Sequence, residues 1–556
     1  MLKKYLVTLI LFIAFCTGVH ADSHKVAIAS AHPLATDADF EIIRKGGNVF
    51  DAAVAVSAAL AVVEPSGSGL GGGGYWLLHR EKDKLDALID GREKAPLAAH
   101  QNMFLDKDGK LIPKLSLDGA LAAAIPGLPA ALVHLSEKYG RLPLSENLAP
   151  AIRYAQTGFA VGDKHLKLLK FRADVLKKHP QTARIFLTDG ELPKAYSILR
   201  QADLADTLKR LADSGRAGFY SGGTAGKLVN AVRKAGGIWT RQDLDNYQIV
   251  ERKPVTGDYR GIKITSAAPS SSGGIVLIEA LNILSEFDLQ NTDAVTRKHL
   301  ITEAMRRAYH DRALYLGDSD FIDIPVKRLL SQDYAAGLRS SLRADKALPS
   351  ALLSGDNLPQ AVGSHTTHFS IIDEAGNRVA ATLSINFPFG SGFVAEGTGV
   401  LLNDEMDDFA STKDAMNSYG LTGGIANAIA PGKRMLSSMT PTFLEDSSRI
   451  AVLGTPGGSR IISMVLLAAL DFAQGNAPES WVNLPRFHHQ FIPDVLEYEQ
   501  GALTDAELTG LTARGHQTKA ARYRYGDMQA VMLDKATHAL SAASDRRGEG
   551  RAVVGQ

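Results

Sequence analysis

The chain has 556 residues, 45% of them hydrophobic and 22% charged, which is enough for a large core and, by length, for more than one domain. Lys and Arg number 61 against 60 Asp and Glu, so no charge excess points to a nucleic acid or a membrane surface as partner.

The N-terminus reads as a signal peptide over residues 1–21. Lys3 and Lys4 form its positive start, YLVTLILFIAF its apolar stretch, and Val19–Ala21 a small-residue cleavage site. The mature chain is expected to begin near Asp22 and to be periplasmic or secreted. The single cysteine, Cys16, lies inside that segment, and bulky Phe15 before it argues against a lipoprotein. The mature chain therefore has no thiol, disulfide or cysteine metal ligand. No later stretch is long enough to span a bilayer.

Residues 35–63 read as helical, followed by the glycine run GSGLGGGGYW. Its nominal G-x-G-x-x-G (Gly69, Gly71, Gly74) comes after a helix and before a strand, the reverse of a dinucleotide fingerprint. Close backbone packing is the expected role. Residues 119–240 carry several helical patterns. TSAAPSSSGGIVLIEALNIL predicts strand, tight turn, helix, and ITEAMRRAYHDRALYLGD predicts an amphipathic helix. Residues 320–362 turn polar and read as a mobile surface segment. Residues 449–470 read as strand, turn and buried helix. Strands and helices alternating without a βαβ rhythm favour a layered α/β or α+β fold.

The stretch GSHTTHFSIIDEAGNRVAATLSINFPFG predicts a hairpin. With period two, Thr366, His368, Ser370 and Ile372 share one face. On the second strand Thr382, Ser384 and Asn386 share a face opposite to that of Val379, Ala381, Leu383 and Ile385. A turn at DEAGN with Gly376 left-handed sets Asp373 opposite Asn377 and Thr366 opposite Ser384. Read by pattern alone, this is a half-buried hairpin with a solvated hydroxyl face. The chemical alternative is that a threonine hydroxyl becomes a useful nucleophile when an α-amine on the same residue, of pKa about 7.7–8.0, takes its proton. Thr366 acquires that amine only if the His365–Thr366 bond is cut, and attack by its own hydroxyl on the His365 carbonyl would do so.

TTHFSIIDEAGNRVAATLSIN resembles the signature of the γ-glutamyltransferases, which also act as glutathione hydrolases. EPSGSGLGGGGYW, DGREKAP, APSSSGG, EAMRRAYHDRALYLGD, LLNDEMDDF, KRMLSSMTPT, GTPGGSR and PRFHHQF extend the resemblance over the mature chain in the family's order. The resemblance implies an α+β fold, the four-layer αββα sandwich of the N-terminal-nucleophile hydrolases. It also implies self-cleavage into a large subunit, 22–365, and a small one, 366–556, sharing one fold. Thr366 matches the nucleophile. Ser384 stands where the family has threonine, keeping the hydroxyl that holds the nucleophile but losing the rotamer-fixing methyl. Asn386, Glu405 and Asp408 match the residues holding the α-amino group of a γ-glutamyl substrate, and Arg92, Ser437 and Ser438 those holding its α-carboxylate. Gly457 and Gly458 match the oxyanion hole, and Tyr419 an aromatic of the lid loop.

These assignments make chemical sense. Carboxylates suit an ammonium and an arginine fork suits a carboxylate. Clamping the remote end of the glutamyl group positions its γ-carbonyl. On spacing alone DEMDD is a solvated acidic turn, Arg92 a surface arginine, and Ser437–Ser438 a possible helix cap. His488 and His489 read as structural, GTPGGSR lacks the G-K-[ST] of a phosphate loop, and no G-x-S-x-G occurs. No cofactor, metal or nucleic acid is implied. The expected partners are glutathione or a related γ-glutamyl compound and an amino-acid or peptide acceptor. A glutaryl (cephalosporin) acylase or a poly-γ-glutamate processing enzyme of the same fold is the alternative activity, and an unprocessed binding protein the non-enzymatic one.

Overall fold

The computed structural model describes residues 25–353, 366–410 and 424–556. The expected signal peptide, His365 and Tyr419 lie outside these residues.

Two antiparallel sheets form the centre. The first has seven strands in the order Arg551–Gly555, Val26–Ser30, Thr367–Asp373, Arg378–Ser384, Gly73–Arg80, Leu85–Gly91 and Val250–Arg252. The second has six, in the order Leu540–Ser544, Gln529–Asp534, Arg449–Gly454, Thr442–Glu445, Ile262–Ser266 and Val255–Tyr259. Alternate residues of the first sheet face opposite ways, as the strand period requires. Ile28, Trp76, Phe369, Ile371 and Val379 pack under helices that include Val49–Val63, Leu128–Tyr139 and Leu144–Thr157. Ala27, Tyr75, Leu77, Ile372 and Ala380 join the second core, which fills the space between the sheets and continues to helices Gly273–Leu284, Ala294–Tyr315 and Arg460–Ala473. Helices, sheet, sheet, helices: these are the four layers expected.

Local sequence accounts for the main elements. Helix Val49–Val63 begins at Asn48, whose side chain accepts from the Phe50 and Asp51 amides while Asp51 reaches back, a capping box. Every side chain of that helix is buried, as its run of Ala and Val requires. The glycine run packs as expected. A Cβ at Gly71 would lie 2.1 Å from the Leu401 carbonyl oxygen, and one at Gly72 2.1 Å from that of Ser384.

Several expectations need correction. Helix Ala294–Tyr315 is not amphipathic in the ordinary sense, because Glu303, Arg306, Arg307, Asp311 and Arg312 are buried too. Glu303 accepts from Arg306 Nε at 3.0 Å and from Arg307 Nη1 at 2.7 Å, so these three charges enter the interior already paired. The stretch after 320, read as a mobile surface segment, is largely at the surface through residue 353 but contains helices Val326–Leu329 and Gln332–Ser340, and residues 354–362 lie outside the described residues. Ser331 caps the second of these helices, its Oγ accepting from the Tyr334 amide at 3.2 Å.

The hairpin has the expected register. Leu383 pairs with Thr367 and Arg378 with Ile372, which carries Thr366 opposite Ser384. Gly376 takes φ +97°, as the turn demands. The hydroxyl face is not solvated, however. It is turned toward the second sheet, where His368 Nδ1 lies 2.8 Å from Thr382 Oγ1, and Ser370 Oγ donates to the Gln529 carbonyl at 3.0 Å. Burial holds the His368 imidazole down to a pKa of about 3, hence neutral.

Candidate active site

Thr366 opens the strand Thr367–Asp373 at the centre of the first sheet and is 7% exposed. It lines a cleft together with Ser384, Asn386, Arg92, Glu405, Asp408, Ser437, Ser438 and Gly458. Residues scattered over 367 positions of sequence, from Arg92 to Gly458, are thus brought to one point by the ends of both sheets.

Each group is held from behind. Arg92 follows the strand Leu85–Gly91, where its amide donates to Asp90 Oδ1 at 3.0 Å and its carbonyl accepts from the Tyr247 hydroxyl at 2.8 Å. Glu405 and Asp408 sit on a 3₁₀ turn, Glu405–Asp408. Asn403 anchors that turn, accepting from the Glu405 amide at 3.0 Å and donating to the Gly71 carbonyl at 2.6 Å. DEMDD is therefore a buried turn docked on the glycine run. Ser437 and Ser438 cap no helix. Their loop is stitched to the APSSSGG segment, with the Ser437 carbonyl accepting from the Ser272 amide at 2.8 Å and the Ser272 hydroxyl at 2.6 Å. Asn386 takes φ +71°, its amide donating to Ser384 Oγ at 2.7 Å. A non-glycine residue in that conformation is held there by its surroundings.

Arg92 is bracketed by two acids of the cleft. Arg92, 1% exposed, donates from Nη1 to Glu405 Oε2 at 2.6 Å and from Nη2 to Asp408 Oδ2 at 2.5 Å. Glu93 lies beneath, 3.6 Å from Arg92 Nη1. Burial pushes the Glu405 carboxyl up to about 7 despite the pull of Arg92, with Asp408 adding repulsion. Burial also pushes Glu93 well above the carboxylate range, and Glu405 pushes it the same way. A guanidinium bracketed by two acids is complementary to a zwitterion, since a ligand carboxylate can take the arginine while its ammonium takes the acids.

Gly457 and Gly458 lie between strand Arg449–Gly454 and helix Arg460–Ala473, with φ +150° and +57°. Gly458 lines the cleft and Gly457 does not, a Cβ on Gly457 pointing instead at Met464 Cε, 2.5 Å away. Arg312 and Ser459 are polar lining residues that sequence reasoning passed over; Arg312 is the charged one. It donates from Nη2 to Ser438 Oγ at 3.2 Å and from Nε to Ser272 Oγ at 3.0 Å. Its motif was visible as EAMRRAYHDRALYLGD, but nothing in the helical pattern marks which arginine faces the cleft. Ser463 Oγ and His488 Nδ1 are 2.7 Å apart, and His489 Nε2 lies 3.1 Å from Asp494 Oδ1; neither histidine lines the cleft. Among the described residues His299, Glu303 and His516 have metal-like spacing, but Glu303 is already engaged by two arginines.

An αββα sandwich with a threonine at the head of a central strand, facing such a cleft, defines an N-terminal-nucleophile hydrolase. The chain belongs to the γ-glutamyltranspeptidase family, whose model, described as Gamma-glutamyltranspeptidase, matches residues 35–555. It is 41% identical over 530 residues to the glutathione hydrolase proenzyme of Escherichia coli K12, covering 94% of this chain and 90% of that protein. Among solved structures it resembles a cephalosporin acylase from Bacillus halodurans, with TM-score 0.84, 28% identity and 96% of each chain covered. It also resembles the γ-glutamyltranspeptidase of Helicobacter pylori, with TM-score 0.57 and 40% identity over 58% of this chain and 93% of that one.

Proposed function

We propose that this protein is a γ-glutamyl acyltransferase and glutathione hydrolase that cuts its own chain before Thr366. In the first reaction the Thr366 hydroxyl attacks the His365 carbonyl. An ester forms as the peptide C–N bond breaks and the nitrogen gains the hydroxyl proton. Water then hydrolyses the ester, leaving a His365 carboxylate and a free Thr366 amine and hydroxyl.

In the second reaction the substrate's α-carboxylate is taken by Arg92 with Ser437 and Ser438, and its α-ammonium by Glu405, Asp408 and Asn386. This fixes the γ-carbonyl against Thr366. The hydroxyl attacks as the Thr366 amine accepts its proton, with Ser384 holding the hydroxyl and the Gly458 and Gly457 amides meeting the oxyanion. The proton passes to the departing amine. Water or an acceptor amine then resolves the γ-glutamyl ester, giving glutamate or a γ-glutamyl product. Tyr419 is assigned to the lid, and residues 1–21 to export to the periplasm or beyond. Among the described residues no helix is long and apolar enough to cross a membrane.

The observation that carries this reading is the Arg92–Glu405–Asp408 bracket in the same cleft as Thr366. The test is Thr366→Ala. It should give one uncleaved chain without activity on a γ-glutamyl anilide, whereas the unaltered protein gives two fragments, the smaller beginning at Thr366. Two fragments from the variant would refute self-cleavage by this residue. The likeness to the B. halodurans acylase favours one competing reading, hydrolysis of a glutaryl amide, which has no α-amino group. A higher kcat/KM on glutaryl than on γ-glutamyl anilide would decide for it.

A further inference from the structure

Thr367 lies on the opposite face of its strand from Thr366, and its hydroxyl donates to Glu64 Oε2 at 2.5 Å. The other oxygen of Glu64 is 2.7 Å from Lys164 Nζ, and the same ammonium is 2.9 Å from Asp527 Oδ2. The Asp527 amide donates to Thr455 Oγ1 at 3.1 Å, and Thr455 lies three residues before Gly458. A continuous polar path therefore runs behind the cleft, from the residue after the candidate nucleophile to the loop carrying the oxyanion glycines. Glu64 also stands beside the Thr366 backbone. A Cβ built on Gly67 would lie 3.2 Å from the Thr366 carbonyl oxygen and 3.6 Å from Glu64 Cδ. Lys164 and Glu64 precede the proposed cleavage point, whereas Thr367, Thr455 and Asp527 follow it.

Two buried carboxylates share one ammonium here. Lys164 is 27% exposed, and Glu64 and Asp527 are nearly inaccessible. Burial pushes the Asp527 carboxyl up to about 6, with Lys164 opposing the shift. His32, His165 and Glu549 face the pair from neighbouring segments. Arg92, Arg312, Glu405 and Asp408 face Thr366 from the cleft.

We propose that Lys164 is a positioning residue that ties the Thr366 strand, through Glu64, to the Gly457–Gly458 loop, through Asp527. It keeps hydroxyl and oxyanion donors in register across the cut chain. The inference rests on the reading of Thr366 as nucleophile. Without the ammonium, Glu64 and Asp527 repel, and the Glu64 charge stands uncompensated against the Thr367 hydroxyl, one residue along the chain from the Thr366 amine. A bare negative charge favours the ammonium form of that amine, raising its pKa. Activity needs the neutral amine, so the acid limb of kcat/KM should move to higher pH.

The experiment compares Lys164→Met, Lys164→Arg, Glu64→Gln and Thr366→Ala, all purified as full-length protein, on a γ-glutamyl anilide across pH. Lys164→Met should lower kcat on the order of ten- to a hundredfold with KM nearly unchanged, and move the acid limb upward. Glu64→Gln should move the limb downward, because Lys164 then stands without that anion. Lys164→Arg should restore most of kcat. A Lys164→Met enzyme with unaltered kcat and acid limb, losing only thermal stability, would overturn the proposal. Should that variant be insoluble, an unmoved limb in Glu64→Gln would do the same. Activity in Thr366→Ala would instead overthrow the nucleophile assignment, so the two failures are distinguishable.

Discussion

Glu405 shows how a single residue changes meaning when it is buried. In DEMDD it is one acid among several, but in the fold it is 1% exposed and sits between Arg92 and the Ser384 hydroxyl. With its carboxyl pushed up to about 7, it loses its charge as pH falls through neutrality, and the ammonium of a γ-glutamyl substrate loses an ionic partner. KM for a γ-glutamyl anilide should therefore rise below pH 7. Glu405→Gln should flatten that rise and raise KM at pH 8 about three- to tenfold, the difference between a charge-assisted and a neutral hydrogen bond. Steady-state kinetics from pH 5.5 to 9 read both effects, and an unchanged KM profile in the variant would remove Glu405 from ammonium binding.

At the scale of elements, the glycine run is the piece on which the site is assembled. Its backbone touches the acid-turn segment at Leu401 and the hairpin at Ser384, with no room for a side chain at either place. Gly72→Ala must push Ser384 or the run itself aside. Overpacking of this kind costs about 1–3 kcal/mol, and here the strain falls on a cleft residue. Calorimetry should show a lowered Tm and assay a loss of kcat. Gly223, in helix Gly222–Lys234, has nothing within 4 Å of its added Cβ. Gly223→Ala should leave activity intact and stability equal or higher by up to about 1 kcal/mol. Equal effects from the two substitutions would mean that the run is not tightly packed.

Over the whole molecule, the segments before and after Thr366 interleave. The hairpin Thr367–Ser384 lies between Val26–Ser30 and Gly73–Arg80 in one sheet, and Thr442–Glu445 pairs with Ile262–Ser266 in the other. A cut before Thr366 thus leaves backbone ladders and both cores shared. The two fragments should co-elute as one species in size-exclusion chromatography and separate only in denaturant. Fragments that part under native conditions would contradict this topology.

The hairpin register, the strand–turn–helix units around 262–284 and 449–473, and the packing role of the glycines were all legible locally. Period two, a left-handed glycine and the absence of a side chain act over a few residues, whatever the rest of the chain does. The motifs likewise pointed to Arg92, Thr366, Ser384, Glu405 and Gly458, which line the cleft, but also to Gly457, which does not. Tertiary structure alone decided that the hydroxyl face of the hairpin meets a second sheet instead of water, and that helix Ala294–Tyr315 buries paired charges. It also decided that Arg312 reaches Ser438 and that Lys164 bridges Glu64 and Asp527. These are contacts between segments up to several hundred residues apart. Their energies depend on who is desolvated beside whom, and that is fixed only when the sheets close on each other.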